Sequence, residues 1–256
     1  MLERAGISVP GGYEYTSPEA GMADYRMYAG KPVVIKPKST NFGLGITILK
    51  HNYDETDFKG ALQIAFEHDN TLLIEKFIPG REFRIFIIND EVVGILHRVP
   101  ANVTGDGVLN IGQLIDRKNE DPLRGKGYRT PLEKIRKGRE EEMFLKQQGM
   151  DFNTVPKEGE VVYLRENSNI STGGDSIDFT DDIDDSYKAI AVEAAKALNV
   201  KITGLDMMIQ DIHAPATPDN YAIIEMNFNP AIHIHCYPFK GKNRHLNHKM
   251  IRALGF

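Results

Sequence analysis

The sequence predicts an α+β protein built on largely antiparallel sheet rather than a doubly wound parallel fold. Three observations carry that prediction. Short β-branched or aliphatic runs bounded by turn residues recur along the chain, several are joined by connections too short for a crossover helix, and only three helical patterns lie among them. The strand runs fall at 32–35, 45–49, 71–75, 83–88, 92–97, 161–164, 202–210 and 221–226. Between the fourth and fifth, Asn89-Asp90 reads as a tight hairpin turn. The helical patterns fall at 55–68, 131–148 and 186–198. In the last, Tyr187, Ile190, Ala194, Ala195 and Leu198 share one face, which predicts packing on a sheet.

No repeat or low-complexity tract interrupts this order. Ile78-Pro79-Gly80 reads as a hinge between a first lobe, 1–78, and a second, 79–256. The charged stretch 117–160 separates two strand regions and reads as an exposed helical excursion of the second lobe. Asp181, Asp182, Asp184 and Asp185 precede the last helical pattern, where negative charge favours a helix N-terminus; that reading is preferred to metal binding.

Composition excludes several function classes. No apolar run approaches the ~20 residues of a membrane span, and Met1-Leu2-Glu3-Arg4 lacks a signal-peptide pattern. Cys236 is the only cysteine, so an intrachain disulfide cannot form and a reducing cytoplasm is the expected setting. The net charge of −5 disfavours nucleic acid as a partner.

Three segments carry the chemistry. The first is the apolar strand that delivers Lys36, followed by a loop containing Ser39, Thr40, Gly43 and Gly45. Such a loop can turn its amides toward phosphate oxygens while a lysine adds charge; a plain hairpin with a surface lysine is the alternative. Neither a P-loop nor a Rossmann glycine pattern is present. The second segment runs from Glu75 and Lys76 through Ile78 to Glu82. It can offer backbone groups to a purine edge and a carboxylate to ribose hydroxyls, or it can be an edge-strand charge pair beside an exposed glutamate.

The third segment pairs Asp206, inside one apolar strand, with Glu225 and Asn227 at the end of another. Strand alternation puts Glu225 and Asn227 on one face, with Ile224 and Met226 on the other. Two carboxylates and a carboxamide oxygen are hard ligands suited to Mg²⁺. A buried acid needs a partner: a metal is preferred, a basic side chain is the alternative. Arg84, Arg98 and Arg165 lie near glycine-bearing loops and are candidates for binding phosphoryl or carboxylate groups, or for structural ion pairs. His233, His235, Cys236, His245 and His248 lack the spacing of a zinc site, and packing is the preferred role.

Taken in order, these stretches resemble the ATP-grasp superfamily over nearly the whole chain. The resemblance rests on residues 34–46 (VIKPKSTNFGLGI), 75–84 (EKFIPGREFR), 98–107 (RVPANVTGDG), 164–174 (LRENSNISTGG) and 225–230 (EMNFNP). More narrowly, the chain looks like the glutathione synthetase module of bacterial bifunctional glutamate–cysteine ligase/glutathione synthetases, with cyanophycin synthetase a close relative. That resemblance implies two α+β lobes, with largely antiparallel sheets, clasping ATP between them. It implies that Lys36 and Lys76 contact phosphate and adenine, that Ser39 to Gly45 close over the phosphates, and that Glu82 takes the ribose. Asp206, Glu225 and Asn227 would hold Mg²⁺, with Mn²⁺ able to substitute. Arg98 and Arg165 would steady the transferring phosphoryl group, and Asn169 with the 171–174 loop would lie near the acceptor substrates.

The implied reaction is ATP-dependent amide formation through an acyl phosphate, preferentially from γ-glutamylcysteine and glycine. The alternatives are another ATP-grasp peptide ligase of the cyanophycin synthetase or RimK kind, or a catalytically silent ATP-binding module. The bifunctional relatives carry a glutamate–cysteine ligase domain upstream, whereas here the chain opens almost directly at residues 5–10 (AGISVP). An excised fragment, a truncated gene product, or a module that binds a separate partner, such a domain or a second copy of itself, is therefore expected.

Overall fold

The computed structural model describes residues 1–40, 44–50 and 52–255. They form two compact units: Ser8–Pro79, and Met1–Ile7 together with Gly80–Phe256. The short N-terminal segment therefore groups with the larger unit, not with a lobe running from residue 1 to 78.

In the smaller unit, β1 (Gly12–Tyr15), β2 (Val33–Pro37), β3 (Thr47–Leu49) and β4 (Leu72–Lys76) form an antiparallel sheet in the order β1-β4-β2-β3. Two short helices, α1 (Pro18–Ala23) and α2 (Tyr25–Tyr28), precede β2. Ser17 caps α1 by accepting from the Ala20 amide, with Pro18 in the first turn. Helix α3 (Glu55–Phe66) starts at a capping box in which Asp54 and Asp57 satisfy each other's backbone amides. Its Phe58, Ala61, Leu62 and Ala65 recur at helical spacing and are buried against Val33, Ile35, Leu72 and Ile74. Alternation along β2 and β4 puts Lys36 and Glu75 on the opposite face of the sheet from that core.

The larger unit is organised by a five-stranded antiparallel sheet. Its members are β5 (Arg81–Ile88), β6 (Glu91–Val99), β11 (Asp175–Asp178), β12 (Ile202–Ile209) and β13 (Tyr221–Asn227), in the order β11-β6-β5-β12-β13. Asn89 and Asp90, both at positive φ, make the hairpin turn between β5 and β6. Helix α6 (Asp185–Ala197) packs on β5 and β6 and buries Tyr187, Ala191, Ala194 and Ala195. Asp184 is its N-cap, accepting from the Ser186 amide, while Asp181 pairs with Arg244 and Lys242. The acidic run is thus divided between capping a helix and fastening the C-terminal segment.

The stretch expected as an exposed helical excursion at 117–160 is built differently. It contains β8 (Arg124–Gly125) and β9 (Leu132–Glu133), a two-residue parallel pair, and one nine-residue helix, α5 (Arg139–Gln147). Gly138 stands at the N-cap of α5, and its amide is taken by Glu141 at 2.9 Å, so the helix begins eight residues later than position 131. Nor is the stretch merely solvated. Ile135 and Leu145 join Ile111, Leu114 and Ile115 of α4 (Ile111–Lys118) in a separate core. Val103 of β7 (Asn102–Thr104) and Val162 of β10 (Val161–Tyr163) complete it, from two paired antiparallel strands.

The C-terminal helices α7 (His233–Cys236) and α8 (Leu246–Ala253) cover Phe86, Ile88 and Val93 through Cys236 and Leu246. His235 is fully buried there, edge-on to Phe86, and neither ring nitrogen has a partner among the described residues. Gly94 makes room for it, since a Cβ at that position would stand 2.8 Å from His235 Nδ1. Burial, aided by the nearby charge of Arg84, pushes the imidazole down to about 3. His97, half-buried and close to Arg81, is pushed down to about 4.

Both shifts have the same sign. The unfolded chain takes up protons near pH 6.5 while the folded chain refuses them, so stability is lost as pH falls below that point. For His235 alone the loss between pH 7 and 5 is expected to be about 2 kcal/mol. Urea denaturation of His235→Leu should show a shallower dependence over that interval, and an unchanged slope would contradict this account.

Candidate active site

Cross-strand register assembles one polar cluster in the larger unit. Asp206 on β12 stands opposite Arg84 on β5 and opposite Glu225 on β13, so the three side chains share one face of the sheet. A bulge makes this possible. Asp206 pairs with Glu225 while Met207 pairs with Ile223, so Ile224 is skipped. Without that extra residue, Glu225 would lie on the same face as Ile223 and Tyr221, which are buried among apolar groups. The bulge therefore turns the carboxylate, and Asn227 two residues on, toward Asp206.

Asp206 is 1% exposed, and basic side chains surround it. Arg84 grips it with two bonds, from Nε to Oδ1 and from Nη2 to Oδ2, the latter at 2.8 Å. Arg98 Nη2 adds a third, at 3.0 Å to Oδ2. Burial works to raise this carboxyl, but the charges of Arg98 and Arg84 and their hydrogen bonds prevail and hold it below the usual carboxylate range. Arg98 also pairs with Glu82, whose other oxygen accepts from Ser168 at 2.7 Å. That bond ties the 164–174 loop to the same face. Within this loop the Asn169 carbonyl accepts from the Thr172 and Gly174 amides, closing the short turn over 170–172.

The charges count as three acids, Glu82, Asp206 and Glu225, against two arginines, a deficit of one positive charge. Glu225 is exposed, and the buried carboxamide nitrogen of Asn227 has no partner among the described residues. An ionised carboxylate offers about four lone-pair sites, so Asp206 retains capacity beyond the three bonds it accepts. In donor type, charge and spare capacity the three residues fit a hard divalent cation. Among the described residues no three His, Cys, Asp or Glu side chains converge into a cage, so such an ion would depend on Asn227 and on ligand oxygens as well.

Arg165 does not join this cluster. Its guanidinium is taken up by Glu140 and by Glu141, the latter 1% exposed on α5, with a 2.7 Å bond from Nε. The arginine fastens α5 to the end of β10.

A second buried cluster escaped sequence reasoning. Asp175 on β11 is held by Lys118 at 2.6 Å, by Asn102 at 3.0 Å and by Arg124, whose Nη1 also donates to the Gly173 carbonyl at 3.0 Å. Both cations lie over the Phe239 ring. This network fixes the 171–174 loop beside Val99 and so beside the strand bearing Arg98. Its members are scattered between residues 102 and 239, and no local spacing signals them.

In the smaller unit, Lys36 and Glu75 form a half-buried ion pair at 2.6 Å. Lys76 is exposed and Ile78 half-buried. The Ser39 amide donates to Asp69 at 2.7 Å, and Thr40 Oγ1 to the Leu44 carbonyl at 3.0 Å. Gly45 adopts φ +75°, as the turn into β3 requires. Gly43 lies outside the described residues.

The architecture defines a class: the chain has the ATP-grasp fold. The family described as D-ala D-ala ligase C-terminus matches residues 12–110, and a D-alanine–D-alanine ligase from Bacillus anthracis shares the fold at TM-score 0.51 and 19% identity, over 90% of this chain and 54% of its own. More particularly, the chain is 61% identical over its whole length to the glutathione biosynthesis bifunctional protein GshAB of Desulfotalea psychrophila. It is 54% identical over 99% of its length to that of Clostridium perfringens. The crystal structure of a bifunctional glutathione synthetase from Pasteurella multocida superposes with TM-score 0.73 at 46% identity, covering 99% of this chain and 35% of that one. The chain spans 33% of the length of the curated relatives from D. psychrophila and C. perfringens.

Proposed function

We propose that this chain is the ATP-dependent ligase part of a glutathione-forming protein, joining γ-glutamylcysteine to glycine through an acyl phosphate. The observation that carries the proposal is the bulge-aligned set Asp206, Glu225 and Asn227 with Arg98 at its edge. Two carboxylates and a carboxamide next to guanidinium groups suit the binding of nucleotide phosphates through a metal ion. When bound, Mg²⁺ or Mn²⁺ supplies charge neutralisation at the phosphate oxygens. Arg98 is suited to follow the negative charge of the transferring phosphoryl group. Glu82, now paired with Arg98 and Ser168, would exchange those partners for ribose hydroxyls. Lys36, Lys76, Glu75, Ile78 and residues 39–45 are the smaller unit's own candidates for nucleotide contacts. Asn169 and the loop held by Arg124 would serve the acceptor.

In this reading the protein works in the cytoplasm on small-molecule substrates, joined to or docked with a glutamate–cysteine ligase domain or with another copy of itself. The identity of 45–61% over nearly the full chain to glutathione biosynthesis proteins supports the choice of substrates. The deciding experiment is a product assay on the purified chain with ATP, Mg²⁺, γ-glutamylcysteine and glycine. Phosphate and glutathione should appear in equal amounts. Turnover with a different acid–amine pair alone would point to a cyanophycin synthetase-like or RimK-like ligase. ATP binding without turnover on any pair would mark a silent module.

A further inference from the structure

Arg84 and Arg98 both bond to Asp206, yet they are held in different ways. Arg84 lies in the middle of β5, is 8% exposed, and reaches both carboxylate oxygens in a fork. Its side chain crosses Gly204 on the neighbouring strand, where a Cβ would come within 3.1 Å of Arg84 Cδ and 3.4 Å of Nη1. Pro230 Cβ, 2.7 Å from the same point, is met first, so the glycine makes room for the proline and for the arginine side chain together. Arg98 meets Asp206 through a single nitrogen and spends the same nitrogen on Glu82. One arginine is seated by packing; the other bridges two carboxylates and can leave either.

We propose that Arg84 is the positioning residue of the proposed metal centre: a fixed guanidinium that sets the orientation of the Asp206 carboxylate toward Glu225, with Arg98 as the exchangeable partner. The inference rests on the metal reading given above. It opposes a simpler one, in which Arg84 is a stand-in charge that occupies the acid until a cation displaces it. The two differ in sign. A stand-in repels the incoming cation, so removing its charge should tighten metal binding. A positioning residue holds a ligand in place, and losing such partners weakens metal affinity by about 10–100-fold.

The test is Mn²⁺ binding to the full chain with a non-hydrolysable ATP analogue, read by the electron paramagnetic resonance signal of free Mn²⁺. Two variants are compared with the parent. Arg84→Met removes charge and fork, leaving Arg98 to pair Asp206. Arg84→Lys keeps the charge, is the more secure folder, and loses only the fork. Both are expected to weaken Mn²⁺ binding tenfold or more, with the apparent KM for metal rising in step. Tighter binding in Arg84→Met, or parent-like binding in folded Arg84→Lys, overturns the positioning role and leaves the metal centre standing. A parent chain that binds no Mn²⁺ with the nucleotide analogue overturns the metal reading and this inference together.

Discussion

Replacing Asp206 by Asn is expected to destabilise the larger unit by about 3 kcal/mol, toward the lower end of what breaking a buried ion pair costs. The acid is 1% exposed and accepts bonds from Arg84 and Arg98, so the change leaves two guanidiniums without their shared counter-charge. Glu82 still neutralises Arg98 and Glu225 still stands near Arg84, which keeps the cost from rising further. Denaturant titration of the variant against the parent measures it directly. A loss under about 1 kcal/mol would mean that the arginines find replacements, and the packing described for Arg84 would be wrong.

Glu225→Gln should behave in the opposite manner. Glu225 is exposed and bears no packing load, so the unfolding midpoint is expected to stay within error of the parent. Turnover, by contrast, should fall by more than the roughly 100-fold that loss of an outer-shell metal partner brings. Steady-state phosphate release together with a denaturation curve on the same sample separates the two effects. Near-normal turnover in a folded Gln variant would exclude Glu225 as a metal ligand. The two variants are thus expected to separate the neighbouring carboxylates: Asp206→Asn in stability, Glu225→Gln in turnover alone.

Much of the scaffold could be read from the chain itself, for physical reasons. The strands of the central sheet are β-branched runs ended by turn residues, and α3 and α6 carry apolar residues at helical spacing above a capping aspartate. Helices α1 and α4 also carry local signals: Ser17-Pro18 at one start, and an Asn110–Gln113 capping box at the other. The helix expected from 131 starts later because Gly138 sets its N-cap, and its charge does not mean exposure, since Leu145 enters a core.

The site was half legible. Alternation could bring Glu225 and Asn227 together, but only the skipped Ile224 aligns them with Asp206, and a bulge leaves no mark in composition. Arg84 was visible as a charge in an apolar strand, while its partner lies 122 residues away. The Lys118–Arg124–Asp175 cluster is of the same kind, a contact set by tertiary register alone.

One property of the C-terminal helices has a practical use. Cys236, the sole thiol of the chain, is 4% exposed beneath α8, in the apolar cluster with Phe86 and Leu246. With the thiol this buried, a thiol reagent is expected to react chiefly in molecules where those helices have lifted away from the sheet. Labelling kinetics therefore clock a partial opening of the edge of the fold, separately from its complete unfolding. The protein carries its own stopwatch for that motion, with no engineered probe and no second cysteine to confuse the count.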